Sequence, residues 1–345
     1  MKAAFFTGPK TIELADIENP QLPVDGCIIA VKAAAICGSD LRRWREGPIS
    51  KSEPVIPGHE IAGTVIRVGN NCHAVKVGDR LALGPDVHCG ACWYCEQGMY
   101  NLCDYLVLYG ITPGHHGGFA EQMALPGELL AHGVWHRIPK DLSDEAAALA
   151  EPCASVISCH EAVGTTLGDW VVVMGAGPIG CIHTVLAKAR GARVILSEPN
   201  PSRRRIAEIF APEVIVDPLN EDLIEVVKSK TRFGADKVIC ANPIAETQRQ
   251  AVELVRKGGT VVLFGGLPKS SPMTSVDANR IHYGQIRLIG SFSYHPKHHA
   301  AALDFLRRDI ISAEKIITNE FPLGQINRAF ETAAQGDALK IVIKP

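Results

Sequence analysis

One stretch of the 345-residue chain constrains its fold more than any other, and it reads "DWVVVMGAGPIGCIHTVLAKARGARVILSEPN" over residues 169–200. Its apolar run Trp170–Met174 is typical of a strand that is buried on both faces of a parallel sheet. The glycines Gly175, Gly177 and Gly180 then form G-x-G-x-x-G at the start of a helix. Such a turn lets a pyrophosphate approach the helix N-terminus closely. The segment therefore predicts a dinucleotide-binding unit.

The second strand of this unit, residues 193–198, ends in an acid about 20 residues after the glycine turn. A carboxylate at this point accepts hydrogen bonds from the adenosine ribose hydroxyls and repels a 2′-phosphate, so Glu198 favours NAD over NADP. Arg203, Arg204 and Arg205 follow closely and could favour NADP instead. We prefer to interpret these three arginines as a solvated helix face.

Segments with strand and helix patterns continue to alternate after this unit, namely "EVIVDP", "EDLIEVVKSKT", "ADKVICAN", "AETQRQAVELVRK", "GTVVLFGG" and "IRLIGSF". Repeated alternation predicts a doubly wound parallel sheet, so the fold class is α/β. A chain of this length can form two domains, each with its own core.

Composition excludes several classes of protein. The formal net charge is −2, so no basic field attracts nucleic acid or an anionic membrane. No apolar run reaches the roughly 18 residues that a spanning helix needs, and the N-terminal residues turn polar too early for a secretory signal. The eleven cysteines are an odd number, which favours reduced thiols in the cytoplasm over a secreted disulfide scaffold.

Four of these cysteines lie in "CGACWYCEQGMYNLC", with the spacing C-x2-C-x2-C-x7-C. Four thiolates satisfy the tetrahedral preference of zinc and leave no open position, so the loop predicts a structural zinc site at Cys89, Cys92, Cys95 and Cys103. Unrelated buried thiols, a redox C-x-x-C motif and an iron–sulfur cluster are the less favoured alternatives.

A second group of candidate ligands lies in "AAAICGSDLRRW" and "PVIPGHEIAGTVIRVG", and consists of Cys37, His59 and Glu60. Catalytic zinc commonly takes three protein ligands and keeps one position for water or substrate. Glu151, in "ALAEPCASVISCHEAV", heads an apolar helix. Considered alone, it is best interpreted as an acid that the helix dipole stabilises in the first turn.

Together these segments resemble the zinc-dependent medium-chain dehydrogenase/reductase family, and most of all its polyol (sorbitol) and threonine dehydrogenase branch. The resemblance covers nearly the whole chain through "CGSD" (37–40), "PGHEIAGTV" (57–65), "KVGDR" (76–80), the four-cysteine lobe, "GGFAEQ" (117–122), "AEP" (150–152), "GAGPIG" (175–180) and "GSFSY" (290–294). It implies a GroES-like β-rich catalytic domain at 1–150 and 291–345, with a structural zinc lobe at about 86–106. It places a Rossmann NAD-binding domain at 151–290.

The resemblance also implies roles for individual residues. Cys37, His59, Glu60 and Glu151 would surround the catalytic zinc, with Ser39 near the substrate oxygen and Asp40 orienting a ligand. The substrate would meet Arg43, Trp44, Ser293 and Tyr294. Besides the three glycines and Glu198, the cofactor would contact Pro178, Ile179, Arg203, Phe264, Gly265, Gly266 and Phe292.

The activity implied by the resemblance is the zinc- and NAD-dependent oxidation of a secondary alcohol in a polyol or sugar-derived substrate to a ketone, with two zinc ions per chain. Arg43 stands where polyol dehydrogenases carry an aromatic residue, and Ser293 where they often carry an arginine. Arg43 could bind a carboxylate or phosphate, so an anionic polyol is an alternative substrate, as is threonine. A zinc-free quinone-type reductase and a non-catalytic protein on the same fold are less favoured.

Two further expectations concern assembly and a histidine-rich segment. The resemblance implies a homotetramer, or at least a homodimer, joined through a strand near residues 287–292. The histidines of "YHPKHH" (His295, His298 and His299) could form another metal site, but we prefer to interpret this segment as a polar loop that enters a helix.

Overall fold

The computed structural model describes residues 1–48, 50 and 54–345. They form two compact units. The split unit consists of Met1–Ala154 and Tyr294–Pro345, and the continuous unit consists of Ser155–Ser293.

The first segment of the split unit is mostly β-strand. Its strands are β1 Lys2–Gly8, β2 Thr11–Asp16, β3 Cys27–Ala35, β4 Glu60–Val68, β5 Arg80–Val87, β6 Val107–Leu108, β7 Gln122–Leu125 and β8 Gly133–Arg137. Its helices are short, namely α1 Gly38–Glu46, α2 Trp93–Glu96, α3 Gly127–His132 and α4 Asp144–Ala148, with a 3₁₀ turn at Tyr100–Leu102. Helix α5, Ala150–Ala162, begins in the split unit and ends in the continuous unit.

The continuous unit alternates strands and helices, as its sequence predicts. Its strands are β9 Trp170–Met174, β10 Arg193–Ser197, β11 Val214–Val216, β12 Ala235–Cys240, β13 Val255–Leu263 and β14 Arg287–Gly290. Its helices are α6 Pro178–Ala189, α7 Pro201–Ala207, α8 Leu223–Thr231, α9 Ala245–Leu254 and α10 Ala278–Gly284, with a 3₁₀ turn at Glu208–Phe210.

The strands of the continuous unit form one parallel sheet in the order β11-β10-β9-β12-β13-β14. The order reverses direction at β9, since β10 and β11 lie on one side of it and β12 to β14 on the other. Ligands of doubly wound sheets bind at such a switch point, outside the carboxyl ends of the strands. The glycine turn follows β9 directly and therefore lies at this point.

The return segment completes the sheet of the split unit. It contains α11 Pro296–Arg307, α12 Ala313–Ile316, β15 Ile317–Pro322, a 3₁₀ turn at Leu323–Gln325, α13 Ile326–Gln335 and β16 Lys340–Lys344. The eight-stranded sheet has the order β15-β16-β3-β4-β5-β6, with β7 paired to β3 and β8 to β5. The end of β3 is a junction, because Ala35 pairs with Glu60 of β4 and with Val342 of β16.

Each unit has its own buried core. In the split unit, Phe330 of α13 packs edge to face against Phe6 and Phe119, with ring centroids 5.6 and 5.9 Å away. In the continuous unit, the core joins the strands to helices α8 and α9 through Val172, Val227 and Ala251, among others. No helix in the described part of the chain has the length and apolar character needed to cross a membrane.

Candidate functional site

The four cysteines of the lobe converge on one point. The Sγ of Cys92 lies 3.6 Å from the Sγ of Cys95 and 3.8 Å from the Sγ of Cys103. The Sγ atoms of Cys89 and Cys95 lie 4.0 Å apart. Thiolates bound tetrahedrally at a Zn–S distance of about 2.3 Å would lie about 3.8 Å from one another. The observed separations therefore fit a closed zinc site with four sulfur ligands.

Backbone amides stabilise negative charge in this cluster. The Sγ of Cys89 accepts from the amides of Ala91 and Cys92, and that of Cys103 accepts from the amides of Cys89 and Tyr105. The backbone amide of Cys95 lowers the pKa of the Cys92 thiol to about 6. Burial raises the pKa of the Cys95 thiol to about 12 and also raises that of Cys103, so the thiolate form is favoured at Cys92, whereas a bound cation would have to stabilise it at the other two.

The second group, Cys37, His59 and Glu60, is brought together by strand pairing. Cys37 follows β3 and Glu60 begins β4, so the pairing of Ala35 with Glu60 places the two ligands side by side. One ligand atom from each of the three residues lies within 4.8 Å of the others. A sulfur, a nitrogen and a carboxylate oxygen at this spacing form a donor set of the catalytic zinc type.

Asp40 and Ser39 face the imidazole of His59. The Asp40 Oδ1 lies 3.5 Å from His59 Nδ1, and the Ser39 Oγ lies 3.4 Å from Nε2. The other Asp40 oxygen accepts from the Cys37 amide at 2.9 Å, so one carboxylate ties two candidate ligands together. Burial lowers the pKa of His59, but Asp40 and Cys37 outweigh it and raise this pKa well above its ordinary value.

Lys340 of β16 is a site residue that the sequence analysis missed. Its Nζ donates to both Glu60 oxygens at 2.7 and 2.8 Å and to the Ile36 carbonyl at 3.1 Å. Both charged side chains are almost completely buried. The missed signal is the lysine of "LKIVIK", since a cation facing the interior from an apolar strand requires a buried counter-charge. Glu60 is therefore placed to interact both with a candidate metal ion and with Lys340.

Glu151, in the first turn of α5, belongs to the same cluster of charges. Burial raises the pKa of its carboxyl to about 8, against the lowering effect of His59, and Glu60 and Asp86 add to the rise. A carboxyl group with its pKa in this range can hold or release a proton near neutral pH. The structure thus places Glu151 in the electrostatic environment of His59 and Glu60, in addition to its position at a helix N-terminus.

Tyr294, which the resemblance also assigned to the substrate, is only 1% exposed and is buried beside Glu151. Its burial and the charge of Glu151 raise the pKa of the tyrosine well above its ordinary value. The Tyr294 hydroxyl fits against Gly84, where a Cβ would overlap it. The preceding Ser293 has a left-handed backbone with φ of 53°. Gly84 is therefore needed for the position of Tyr294, and sequence inspection did not reveal this dependence.

A cavity of about 140 Å³ adjoins Ser39 and Asp40. Arg43 and Arg42 line it, together with apolar residues that include Ile111. The Arg43 guanidinium lies 3.3 Å from a Glu46 oxygen and 3.4 Å from the Gly47 carbonyl. The cavity is thus lined by two cations and by Ser39 and Asp40, the two residues that face the candidate ligand His59.

Trp44 requires a correction. The resemblance placed it on the wall of the substrate pocket, but its side chain is only 6% exposed and lies in the core of the split unit. Its ring packs against Phe330 at a centroid distance of 6.1 Å. The reason is the helical turn of α1, which directs Arg43 to the cavity and its neighbour Trp44 inward.

The predicted cofactor residues of the continuous unit follow the carboxyl ends of its strands. The turn 175–180 follows β9, Glu198 follows β10, and 264–266 follow β13. Gly175 adopts φ of 114°, and a Cβ on Gly180 would overlap the Gly175 carbonyl. Gly177 caps α6, with Pro178 in its first turn and open space beside its Cα. These features fit an anion that approaches the helix N-terminus.

Glu198 is buried and already accepts two backbone hydrogen bonds. Its oxygens accept from the amides of Ala176 at 2.7 Å and Asn200 at 2.9 Å. Each carboxylate oxygen has a second lone pair, so acceptor capacity remains for ribose hydroxyls. The carboxylate thus braces the glycine turn, a role that sequence inspection did not reveal.

The three arginines after Glu198 do not form a uniform solvated face. Arg204 donates to the carbonyls of Glu198 and Pro199 and forms an ion pair of 2.8 Å with Asp217. Arg205 is exposed, and the Nε of Arg203 is buried without a hydrogen-bond partner among the described residues. The solvated interpretation was therefore wrong for Arg204.

The remaining predicted residues differ in their environments. Phe264 is partly buried and contacts His183 at a ring-centroid distance of 4.6 Å, whereas Phe292 is 57% exposed. In the split unit, His295 caps α11 by accepting from the Lys297 amide at 3.0 Å. The "YHPKHH" segment thus enters a helix, as the preferred interpretation predicted.

Comparison with known proteins identifies the family of this chain. Residues 24–140 match the alcohol dehydrogenase GroES-like domain, and residues 178–308 match the zinc-binding dehydrogenase domain. The chain is 32% identical to D-arabitol-phosphate dehydrogenase of Enterococcus avium, over 95% of this chain and 92% of that protein. It is also 32% identical to sorbitol dehydrogenase of Bacillus subtilis strain 168, over 100% of this chain and 97% of that protein. The chain belongs to the zinc-dependent dehydrogenase family.

A solved structure of this family has the same fold over the whole chain. The zinc-binding dehydrogenase from Sinorhizobium meliloti, determined bound to NADP, is 30% identical, with a TM-score of 0.89 over 100% of this chain and 99% of that one. The predicted combination of a GroES-like domain with a Rossmann domain is confirmed. The chain is accordingly a dehydrogenase that uses zinc and a nicotinamide cofactor.

Proposed function

We propose that this dehydrogenase oxidises a secondary hydroxyl of a polyol or sugar-derived substrate to a ketone, with NAD as hydride acceptor. The observation that carries the proposal is the cavity beside Ser39, which adjoins the Cys37–His59–Glu60 donor set. Sorbitol and arabitol phosphate, which name two of the relatives, are both polyhydroxylated carbon chains.

The candidate site residues of the split unit have separate roles in this reaction. Cys37 and His59 would hold a zinc ion, with Glu60 or Glu151 as the third protein ligand. When bound, zinc lowers the pKa of a substrate hydroxyl and so favours loss of its proton. Asp40 faces Nδ1 of His59 and thereby keeps Nε2 directed toward Ser39.

Oxidation of the alcohol removes a proton from its oxygen and a hydride from its carbon, and the two leave by different routes. Ser39 lines the cavity and can relay the hydroxyl proton, because its Oγ would accept this proton while its own hydroxyl proton passes to solvent. A bound nicotinamide would supply the hydride acceptor, so that loss of a hydride from the alcohol carbon would leave a ketone. Lys340 neutralises Glu60 throughout, so the centre does not carry an unpaired buried carboxylate.

A second candidate substrate class is an anionic polyol, and Arg43 favours it. Arg43 and Arg42 both line the cavity, so a terminal phosphate or carboxylate bound there would be near two cationic residues. An Arg–anion contact contributes about 1.5–3 kcal/mol and would select which hydroxyl reaches the metal. The relative from Enterococcus avium is named for a phosphorylated polyol. Threonine, the other alternative, is also anionic at its carboxylate.

The test compares kcat/KM for neutral polyols with that for their phosphate and aldonate counterparts. In Arg43→Gln, the preference for anionic compounds should fall about ten- to hundredfold, as loss of 1.5–3 kcal/mol implies. Arg45→Gln is the matched control, because Arg45 lies on the same helix but is exposed and does not line the cavity. If anionic compounds have no higher kcat/KM than neutral polyols in the native enzyme, only the neutral-polyol assignment remains. If no polyol of either class is oxidised, the proposed function is wrong.

The finer features of the proposal are two zinc ions per chain, NAD rather than NADP, a homotetramer, and a cytoplasmic location. The two groups of ligands support the zinc count, and Glu198 supports NAD even though one related structure contains NADP. The exposed position of β14 at the edge of its sheet supports assembly through that strand. The eleven cysteines, all free, support a reducing compartment.

A further inference from the structure

A row of aromatic rings links the four-cysteine lobe to the start of α11. The ring of His88 stacks on that of Tyr100 at a centroid distance of 4.1 Å and an angle of 10°. The Tyr100 ring also lies 5.0 Å from that of His295, with the two rings tilted by 35°. Contacts of this geometry are favourable beyond simple burial of area.

The lobe end of the row is anchored to the cysteine cluster. The Tyr100 carbonyl accepts from the amide of Cys103 at 3.2 Å, and the Nδ1 of His88 lies 3.7 Å from the Sγ of Cys95. Neither Tyr100 nor His88 can therefore shift far without disturbing a candidate zinc ligand. The lobe therefore holds the aromatic ring of Tyr100 in a fixed position.

The other end of the row sets the first turn of α11. His295 is the N-cap, and its Nδ1 accepts from the Lys297 amide at 3.0 Å. The His295 amide in turn donates to Nδ1 of His298 at 3.2 Å. Tyr294 precedes this cap directly and lies buried beside Glu151. Whatever fixes His295 therefore also limits where the Tyr294 ring can lie.

We propose that Tyr100 is a positioning residue for the candidate active site: through His295 it holds the N-terminus of α11, and with it Tyr294, in place. The effect on substrate rests on the proposed function. In this arrangement the structural zinc lobe does more than stabilise the fold, because an ordered lobe is a precondition for a correctly formed substrate site.

The first test is independent of activity. Hydrogen exchange of the full chain, read by mass spectrometry on peptides covering residues 294–300, is compared in native protein, Tyr100→Ala and Tyr100→Phe. We expect exchange to accelerate about tenfold in Tyr100→Ala and to stay at the native rate in Tyr100→Phe, which retains the stacking plane. Tyr105→Ala is the matched control, because Tyr105 lies in the same lobe but is 72% exposed.

The second test separates positioning from general instability. In Tyr100→Ala, KM for a substrate polyol should rise about tenfold, equivalent to 1.4 kcal/mol, with kcat, cofactor KM and zinc content within twofold of native. Tyr100→Phe should restore KM. In the Tyr294→Phe background, adding Tyr100→Ala should change KM by less than twofold. Both substitutions act on the Tyr294 hydroxyl, since Tyr100→Ala would displace it and Tyr294→Phe removes it.

Several outcomes would overturn the proposal. Native exchange rates at residues 294–300 in Tyr100→Ala would do so, as would equal defects in Tyr100→Phe and Tyr100→Ala, or additive effects with Tyr294→Phe. If Tyr100→Ala loses lobe zinc, Tyr100→Leu replaces it, because leucine keeps apolar bulk without an aromatic plane. If the native enzyme oxidises no polyol, the proposed function fails, while the exchange comparison still decides the role of Tyr100.

Discussion

With the Cys37–His59 site free of zinc, replacing Lys340 by methionine should leave Glu60 as a buried carboxylate without its partner. In the native fold, the Lys340 Nζ contacts both Glu60 oxygens and the Ile36 carbonyl, and neither charged side chain reaches solvent appreciably. Methionine approximates the length of the lysine stem, so the change removes charge and hydrogen bonds with little change in volume. The expected loss is therefore electrostatic.

The size of the expected stability loss follows from the ability of the Glu60 carboxylate to take up a proton. Glu60 in the variant can take up a proton, and at pH 7 this costs about 3.7 kcal/mol relative to an ordinary glutamate pKa of about 4.3. Removal of one member of a buried ion pair typically costs about 3–5 kcal/mol. We expect the free energy of unfolding to fall by about 3–4 kcal/mol at pH 7 and by only about 1 kcal/mol at pH 5, where protonation is easier.

The assay is urea unfolding followed by tryptophan fluorescence, since Trp44, Trp93 and Trp135 all belong to the split unit. Lys344→Met is the matched control: Lys344 lies on the same strand, but its ion pairs with Glu145 and Glu320 are about half exposed on the lysine side. Exposed pairs contribute about 0–1 kcal/mol, so this control should remain close to native.

A double variant distinguishes charge from packing. Glu60→Leu with Lys340→Met replaces both charges by apolar groups and should recover at least half of the loss. The reasoning fails if Lys340→Met costs less than 1 kcal/mol at pH 7, or if its cost is the same at pH 5. It also fails if the double variant is less stable than Lys340→Met alone.

Three further predictions concern the metals, the cofactor and acid stability. Native protein should contain two zinc ions per chain, and brief chelation should remove the ion near Cys37 first, abolishing activity while far-UV circular dichroism persists; one ion per chain with free lobe thiols would contradict this. Glu198→Gln should reduce the NAD-to-NADP preference in kcat/KM about ten- to hundredfold, and a native preference for NADP would show that Glu198 does not decide. Burial lowers the pKa of His160 to about 4, where its Nδ1 lies 2.9 Å from Thr165 and its Nε2 3.1 Å from His183. Because the fold keeps His160 neutral while the unfolded chain protonates near pH 6.5, stability should be full above that pH and fall by about 3 kcal/mol toward pH 4. His160→Gln should flatten this part of the pH profile, and an unchanged slope would assign it to other groups.

The parts of the site that the sequence predicted depend on residues close together in the chain. Cys89, Cys92, Cys95 and Cys103 span one short loop, and their spacing alone brings four sulfur atoms within reach of a single ion. The glycine turn is equally local, because its strand, turn and helix are consecutive. In both cases the geometry follows from backbone conformation over a few residues, so pattern and chemistry together were sufficient.

Other features depended on which distant segments pair, and only the tertiary structure decided them. Lys340 reaches Glu60 because β3 pairs with both β4 and β16, and no local pattern encodes that register. Tyr294 requires the absence of a side chain at Gly84. Trp44 was assigned to the wrong environment, since one position along a helix separates a cavity wall from a core. The partly buried hydrogen bond between the Nδ1 atoms of His136 and His299, 3.0 Å apart, likewise joins elements 163 residues apart. Local sequence specifies which chemistry a loop or turn can carry, whereas long-range packing specifies which charges and rings meet, because only the folded chain determines their distances and their exposure to water.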